Sequence, residues 1–171
     1  MARSGFEFDE LKRWQKKIRR LDESDKDRLF RECANALAAR LLSKVIPRTP
    51  VGQYPPSSGK VGGTLRRGWT GGKEVEDGDY NAIAMYAHSL NIEHKGKVYL
   101  IEIINPVYYA SYVEYGHRQE PGRYVPAIGK RLKKRWVKGK HFLKISEREV
   151  LESAPAILSR RIETFFKEYF G

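Results

Sequence analysis

The run YNAIAMYAHSLNIEHKGKVYLIEIIN, residues 80–105, alternates apolar and polar side chains loosely on both sides of a Lys95-Gly96 pair. Alternation at period two puts one set of side chains on each face of a strand. The pattern therefore predicts two antiparallel strands, Tyr80 to His94 and Lys97 to Asn105, joined by a tight hairpin turn. In VYLIEII, residues 98–104, both alternating sets are apolar, which predicts a central strand covered on both faces. Just upstream, Thr64 to Val75 reads as a further strand through Leu65, Trp69 and Val75. Gly71-Gly72 is its bend and Gly78-Asp79 the turn that follows.

Helical periods flank this block. Leu11, Trp14, Ile18 and Leu21 recur at steps of three and four, with lysines and arginines on the other faces, so Glu7 to Leu21 reads as an amphipathic helix. A break at Asp22 to Asp25, with Ser24 as N-cap, starts a second helix that runs to about Ile46. Its buried stripe is Leu29, Phe30, Cys33, Leu37, Leu41 and Val45, and Pro47 and Pro50 end it. After the strands, Asn105-Pro106 opens a short helix that carries Tyr108, Tyr112 and Tyr115 on one stripe, with Gly116 as C-cap. Ser146 and Glu149 form a capping box for a last helix whose apolar face is Leu151, Leu158, Ile162, Phe165 and Phe166, and Pro155 predicts a kink within it. Strands grouped between helices predict an α+β fold: N-terminal helices and a C-terminal helix packed on a small antiparallel sheet, with two long flexible loops. The expected organisation is one domain over residues 1–171, with an N-terminal helix extension at 1–24 and mobile loops at 47–63 and 117–141.

Composition narrows the function. The 171 residues are 40% hydrophobic and carry 33 Lys and Arg against 21 Asp and Glu, a net charge of +12. An excess of that size invites a polyanion: nucleic acid, an acidic protein face or an anionic membrane. Cys33 is the one cysteine, so a disulfide-held scaffold and a cysteine-based zinc site are excluded. The N-terminus lacks the apolar run of a signal peptide, and the most apolar stretch, Val98 to Val113, carries Glu102 and Pro106 and falls short of the roughly 20 apolar residues that span a bilayer. A soluble protein, used without export or membrane contact, is expected.

Catalytic patterns are sparse. His88 and His94, read on one face of a strand, would stand about 20 Å apart, too far for one metal; neither they nor His117 and His141 have a ligand partner at a suitable spacing. There is no G-x-S-x-G, and Cys33 sits on an apolar helix stripe, where a thiol is inert. Glu74, Glu76, Asp77 and Asp79 surround a turn, as solvated carboxylates do. The glycines of GKVGGTL, residues 59–65, lack the spacing of a phosphate loop. The reading is a protein without enzymatic activity, cofactor or metal.

Two polar features stand out. Residues 117–141 hold Arg118, Arg123, Lys130, Arg131, Lys133, Lys134, Arg135, Lys138 and Lys140 against one acid, Glu120. This is either a phosphate-contacting loop, with Tyr124 and Trp136 adding stacking, or a solvated loop that stays mobile until a partner arrives. The second feature is the tyrosine run Tyr108, Tyr109, Tyr112 and Tyr115, more than one short helix can bury. It reads as part core and part subunit interface.

Four segments in order, TPV at 49–51, GTLRRGW at 63–69, NPVYYASYVEYGH at 105–117 and WVKGKHFLKISE at 136–147, followed by a final helix, carry a resemblance. From about residue 25 to the C-terminus the chain resembles the minor tail component family of tailed bacteriophages, the tail-completion or head–tail joining proteins, which also occur in prophages and phage-like elements. The family's Thr-Pro-Val is usually followed within a few residues by Thr-Gly-x-Leu-Arg; here VGQYPPSSGKVG, residues 51–62, intervenes and lengthens the loop. The resemblance implies an α+β structural virion protein with no enzymatic activity, assembled in the host cytoplasm. It also implies a homo-oligomeric ring of six copies at the head–tail neck or tail top, in contact with connector, tail-tube or terminator proteins. In such a ring Arg131, Lys133, Lys134 and Arg135 are expected to reach an acidic neighbour or the DNA path. Two other readings stay open. A non-sequence-specific DNA-binding module would weaken steeply with salt, and a small nuclease would show metal-dependent cleavage.

Overall fold

Asp22 separates the two N-terminal helices. A computed structural model describes residues 8–54, 56–59, 61–76, 78–126 and 129–170; Glu7, Asp77, Pro55 and Lys60 lie outside the described residues. Helix α1 (Phe8–Ile18) is followed by α2 (Glu23–Arg48), and the Asp22 carboxylate accepts a hydrogen bond from the Asp25 amide at 2.8 Å. Asp22 thus takes the capping role expected of Ser24, because an extended residue one step before the first turn aims its carboxylate at the free N–H groups.

Helix α2 is the spine, and its buried residues Leu29, Cys33, Ala38, Leu42, Val45 and Ile46 are spread round its circumference. A helix apolar on several sides is packed on several sides. Helix α6 (Phe142–Phe170) lies against it along one side and α4 (Tyr80–Ser89) along another. Two apolar clusters result. One joins Ala38, Leu42, Val45 and Ile46 to Leu65, Trp69, Ile83, Ala87 and Phe142; the other joins Trp14, Leu21, Leu29 and Cys33 to Phe165 and Phe166. Phe30 lies outside both and is 39% exposed.

Two expected strands are helices. Thr64–Arg67 forms α3, continued by a 3-10 turn over Gly68–Thr70. Leu65 and Trp69, four residues apart, point into one core, and the Trp69 indole N–H donates to the Thr49 hydroxyl at 2.8 Å. Likewise Tyr80–Ser89 is α4, capped by Asp79, whose carboxylate accepts from the Ala82 amide at 2.9 Å. Ile83 and Ala87, also four apart, are its buried pair. Loose alternation over ten residues fits a helix equally well when the buried positions fall at i and i+4. His88 and His94 therefore sit on different elements: His88 faces the Asn35 side chain at 3.1 Å, and His94 stacks on Tyr99.

The hairpin itself is present. Strands β1 (Ile92–Lys95) and β2 (Val98–Ile101) pair antiparallel around Lys95-Gly96, with Ile92 opposite Ile101 and Lys95 opposite Val98. The ribbon is tied to α2 through Asp27, which accepts from the Arg31 Nε at 2.6 Å and the Tyr99 hydroxyl at 3.0 Å. Its second strand is not central. Tyr99, Ile101 and Ile103 face inward, whereas Val98 and Leu100 are 55% and 52% exposed.

Helix α5 is shorter than expected. Asn105 to Tyr109 is not helical, and α5 spans Ala110–Tyr115, ending at Gly116 with φ 88°. Helix α6 starts four residues before Ser146 and runs through Pro155 to Phe170 without interruption. Its N-terminus is capped from a distance: the buried Glu114 carboxylate accepts from the Leu143 and Lys144 amides, both at 3.0 Å. Glu149 is engaged elsewhere, pairing with Lys44 at 2.6 Å and Arg48 at 2.8 Å, while the Ser146 hydroxyl donates to the Phe142 carbonyl. Leu151, assigned to the apolar face, is 74% exposed. The class is α+β as expected, but the helices pack on α2, and the described strands form three two-stranded antiparallel ribbons rather than one sheet.

Candidate functional site

The basic stretch is an arm built of two short ladders. Strand β3 (Gly116–Arg118) pairs antiparallel with β6 (Trp136–Lys138), and β4 (Tyr124–Val125) pairs with β5 (Lys130–Arg131). Between the ladders the Gln119 amide donates to the Arg135 carbonyl, the Gly122 amide to Leu132 and the Leu132 amide to Arg123, each at 2.8 Å. The residues expected to be an irregular loop are thus hydrogen-bonded across much of their length.

The root of the arm is keyed to the body. A Cβ on Gly116 would stand 2.4 Å from the Val137 carbonyl oxygen, and one on Gly139 would stand 2.2 Å from the Glu114 carbonyl oxygen. Only glycine allows backbones to cross that closely. Beyond the crossing, the Lys140 amide donates to the Val113 carbonyl at 2.8 Å and the His141 amide to Glu114 at 3.1 Å. Sequence reasoning named Gly116 as a helix cap and missed Gly139 and Glu114, which are brought together only by the fold.

The arm concentrates the charge. Residues 116–140 hold nine Lys and Arg against Glu120, a net +8 of the chain's +12. Arg123, Lys130, Arg131, Lys133, Lys134, Arg135, Lys138 and Lys140 are all exposed, and among the described residues none of them pairs with a carboxylate. Several cations of the body are paired instead: Arg31 with Asp27, Lys44 and Arg48 with Glu149, and Arg161 with Glu32. The arm encloses a concavity of about 970 Å3 whose lining includes Arg118, Arg123 and Arg135 together with Leu132, Trp136 and Glu120. Trp136 and Tyr124 are 50% and 51% exposed. Several guanidinium groups beside an open indole suit a ligand that is anionic and flat-faced.

The tyrosines divide. Tyr109 packs against the main core, and burial pushes its hydroxyl pKa up. Tyr108, Tyr112 and Tyr115 are 87%, 56% and 63% exposed, with Tyr112 lying 5.9 Å from the His117 ring at the start of the arm. Cys33 is buried, which pushes its thiol up to about 11. Among the described residues no three His, Cys, Asp or Glu side chains are grouped to hold a metal, and no helix is long and apolar enough to cross a membrane.

A family model described as "Bacteriophage HK97-gp10, putative tail-component" matches residues 12–116. The match begins within α1, takes in α2 through α5 and the tyrosine run, and ends at the root of the arm. It starts earlier than the resemblance read from the sequence and stops short of the arm and α6. No curated protein and no solved structure matches the chain.

Proposed function

Because the chain belongs to the HK97-gp10-like family of phage tail components, a structural protein of the virion that meets other virion proteins, we propose that it forms a ring at the head–tail neck or tail top and joins or completes the tail. The ring has six copies, assembles in the host cytoplasm and contacts neck, connector and tail-tube or terminator proteins. Its role is mechanical, with no catalytic step. Tyr108, Tyr112 and Tyr115 belong to its subunit interface, and Tyr109 holds that segment to the core.

The observation that carries this reading is the arm. Eight exposed cations, none paired with a carboxylate among the described residues, carried on an arm with a fixed root, are arranged to meet an anionic surface outside the chain. In the ring, Arg131, Lys133, Lys134 and Arg135 reach an acidic neighbouring protein or the DNA path. Cryo-electron microscopy of particles from the parent element tests it: a ring of this chain between head and tail tube is expected, and absence of the chain from assembled particles overturns the reading. Infectious particles from a chain with the four arm cations reversed would remove the arm from it.

A second reading, a DNA-binding module without sequence preference, is favoured by one feature, the open Trp136 and Tyr124 rings among the cations. Stacking on aromatic faces and phosphate neutralisation tolerate any base sequence. Its mark is binding that weakens steeply with ionic strength.

A further inference from the structure

The most apolar part of the chain lies half outside it. From Val98 to Tyr108 exposure alternates residue by residue, so that Val98, Leu100, Glu102, Ile104, Pro106 and Tyr108 all point outward. Val98, Leu100 and Ile104 are 55%, 52% and 59% exposed. A strand with one solvated face ordinarily carries polar residues there. Only residues 98–101 pair with a strand; 102–108 are paired with none among the described residues. The inner side is fixed, Tyr99 by Asp27 and Ile101 and Ile103 by the core. An apolar ridge held rigidly in solvent marks a contact surface.

A complementary surface lies across the molecule. Helices α2, α4 and α6 enclose a groove of about 660 Å3 whose apolar floor includes Ala39, Ile83, Ala84 and Ile157. Its lining holds Arg40, Arg160 and Arg161 and, among the described residues, no carboxylate. Arg161 is paired with Glu32, while Arg40 and Arg160 are exposed and make no ion pair among the described residues. The ridge carries the opposite sign in Glu102, also exposed and without an ion pair there.

The two surfaces point apart. At about 100° per residue, the α2 positions that hold the ribbon (Asp27, Arg31) lie roughly 150° round the helix from those that line the groove (Ala36, Ala39, Arg40, Ser43). A ridge on one side and a groove on the other cannot meet within one chain. They are what a head-to-tail contact requires, in which each copy offers two different surfaces.

We propose that the outward face of the Val98–Tyr108 segment in one copy seats in the α2–α4–α6 groove of the next, with Glu102 beside Arg160 and Arg40. This rests on the ring reading and assigns its contact. Val98, Leu100 and Ile104 supply the buried area, and Glu102 sets the register.

The test uses two single-cysteine-addition variants of the full chain, Leu100→Cys and Ala156→Cys, at exposed positions on the ridge and the groove; native Cys33 is buried. Mixed at rising concentration under mild oxidation, they are expected to give a disulfide-linked heterodimer at least tenfold in excess of either self-linked dimer. Self-linked Leu100→Cys as the main product would mean ridge against ridge and overturn the proposal, as would no mixed product. A charge swap is the second arm. Glu102→Arg and Arg160→Glu should each lower the yield of mixed product about fivefold and together restore it; no restoration refutes the pairing. Rings of this chain seen in particles, combined with no mixed product, would sink this contact and leave the ring standing, whereas absence of the chain from particles sinks the ring reading itself.

Discussion

Gly116→Ala is the sharpest perturbation of the arm, because it leaves every charge in place. The residue has φ 88° and ψ 171°, a region that only glycine occupies comfortably and that costs a side-chain-bearing residue about 1–3 kcal/mol. The new methyl also meets the Val137 carbonyl oxygen at 2.4 Å and the Gly139 nitrogen at 2.8 Å, and overpacking of that kind adds about 1–3 kcal/mol. The total of roughly 2–6 kcal/mol falls on a ladder of only three residue pairs between β3 and β6, so the strain is expected to be relieved by parting that ladder while the body stays folded. At 1.4 kcal/mol per factor of ten, opening becomes at least about 30-fold more frequent. Hydrogen–deuterium exchange by mass spectrometry reads this directly. Peptides covering 116–119 and 135–141 should exchange at least about 30-fold faster, with those from the middle of α2 unchanged. Unaltered exchange at 116–119 would refute the keyed root, and uniform acceleration across the chain would show that the arm and body unfold together.

Three further outcomes follow from the same geometry. Phe142→Ala removes a ring 1% exposed and edge-on to Trp69 at 6.2 Å; it should cost about 3–5 kcal/mol, or roughly 6–20 °C of calorimetric Tm, and a loss below about 1 kcal/mol would deny that α6 closes the main core. Glu149 is held below its ordinary value of 4.5 by the Lys44 hydrogen bond first and by Arg48 beside it. A depressed carboxyl stabilises the fold above its unfolded pKa and loses that contribution as pH falls through the folded value. Glu149→Gln should therefore lower Tm at pH 7 and the gap should close in acid below the ordinary carboxylate range; an equal gap at both pH values would count against the ion pairs. On duplex DNA, Lys133→Gln with Lys134→Gln should flatten the log K against log salt plot by about 1.8, at roughly 0.9 for each phosphate left unneutralised, and an unchanged slope would show that these side chains do not touch phosphate.

The hairpin at Lys95-Gly96 was legible because a Lys-Gly pair between alternating runs has few other uses, and Gly96 does take φ 63°. The helices Tyr80–Ser89 and Thr64–Arg67 were misread as strands, although Asp79 and the pairs Ile83/Ala87 and Leu65/Trp69 carried the helical signal. Short runs satisfy both periods, and the tie is broken by burial against α2, which local pattern does not contain. The arm's strands are two or three residues long, below the length at which alternation registers. Glu114 caps α6 from 29 residues away, and Gly139 matters only because Glu114 crosses it; neither relation has a local signature. The charge of the site, by contrast, was fully written in the sequence, since none of its cations needs the fold to make it positive.

What the structure adds to that charge is order, and order changes the energetics of assembly. A loop of 25 residues that froze only on meeting its partner would give up roughly 1–2 kcal/mol of backbone entropy per residue. Exposed ion pairs contribute about 0.2–1 kcal/mol each, so eight cations alone could not offset that loss. The ladders and the glycine crossing at the root meet most of that ordering cost when the chain folds, leaving mainly the long side chains to be immobilised at about 0.5–1.5 kcal/mol apiece. For the proposed ring contact a cationic arm built in advance costs far less to order on assembly, and Gly116 and Gly139 are two positions at which that construction can be undone without touching a charge.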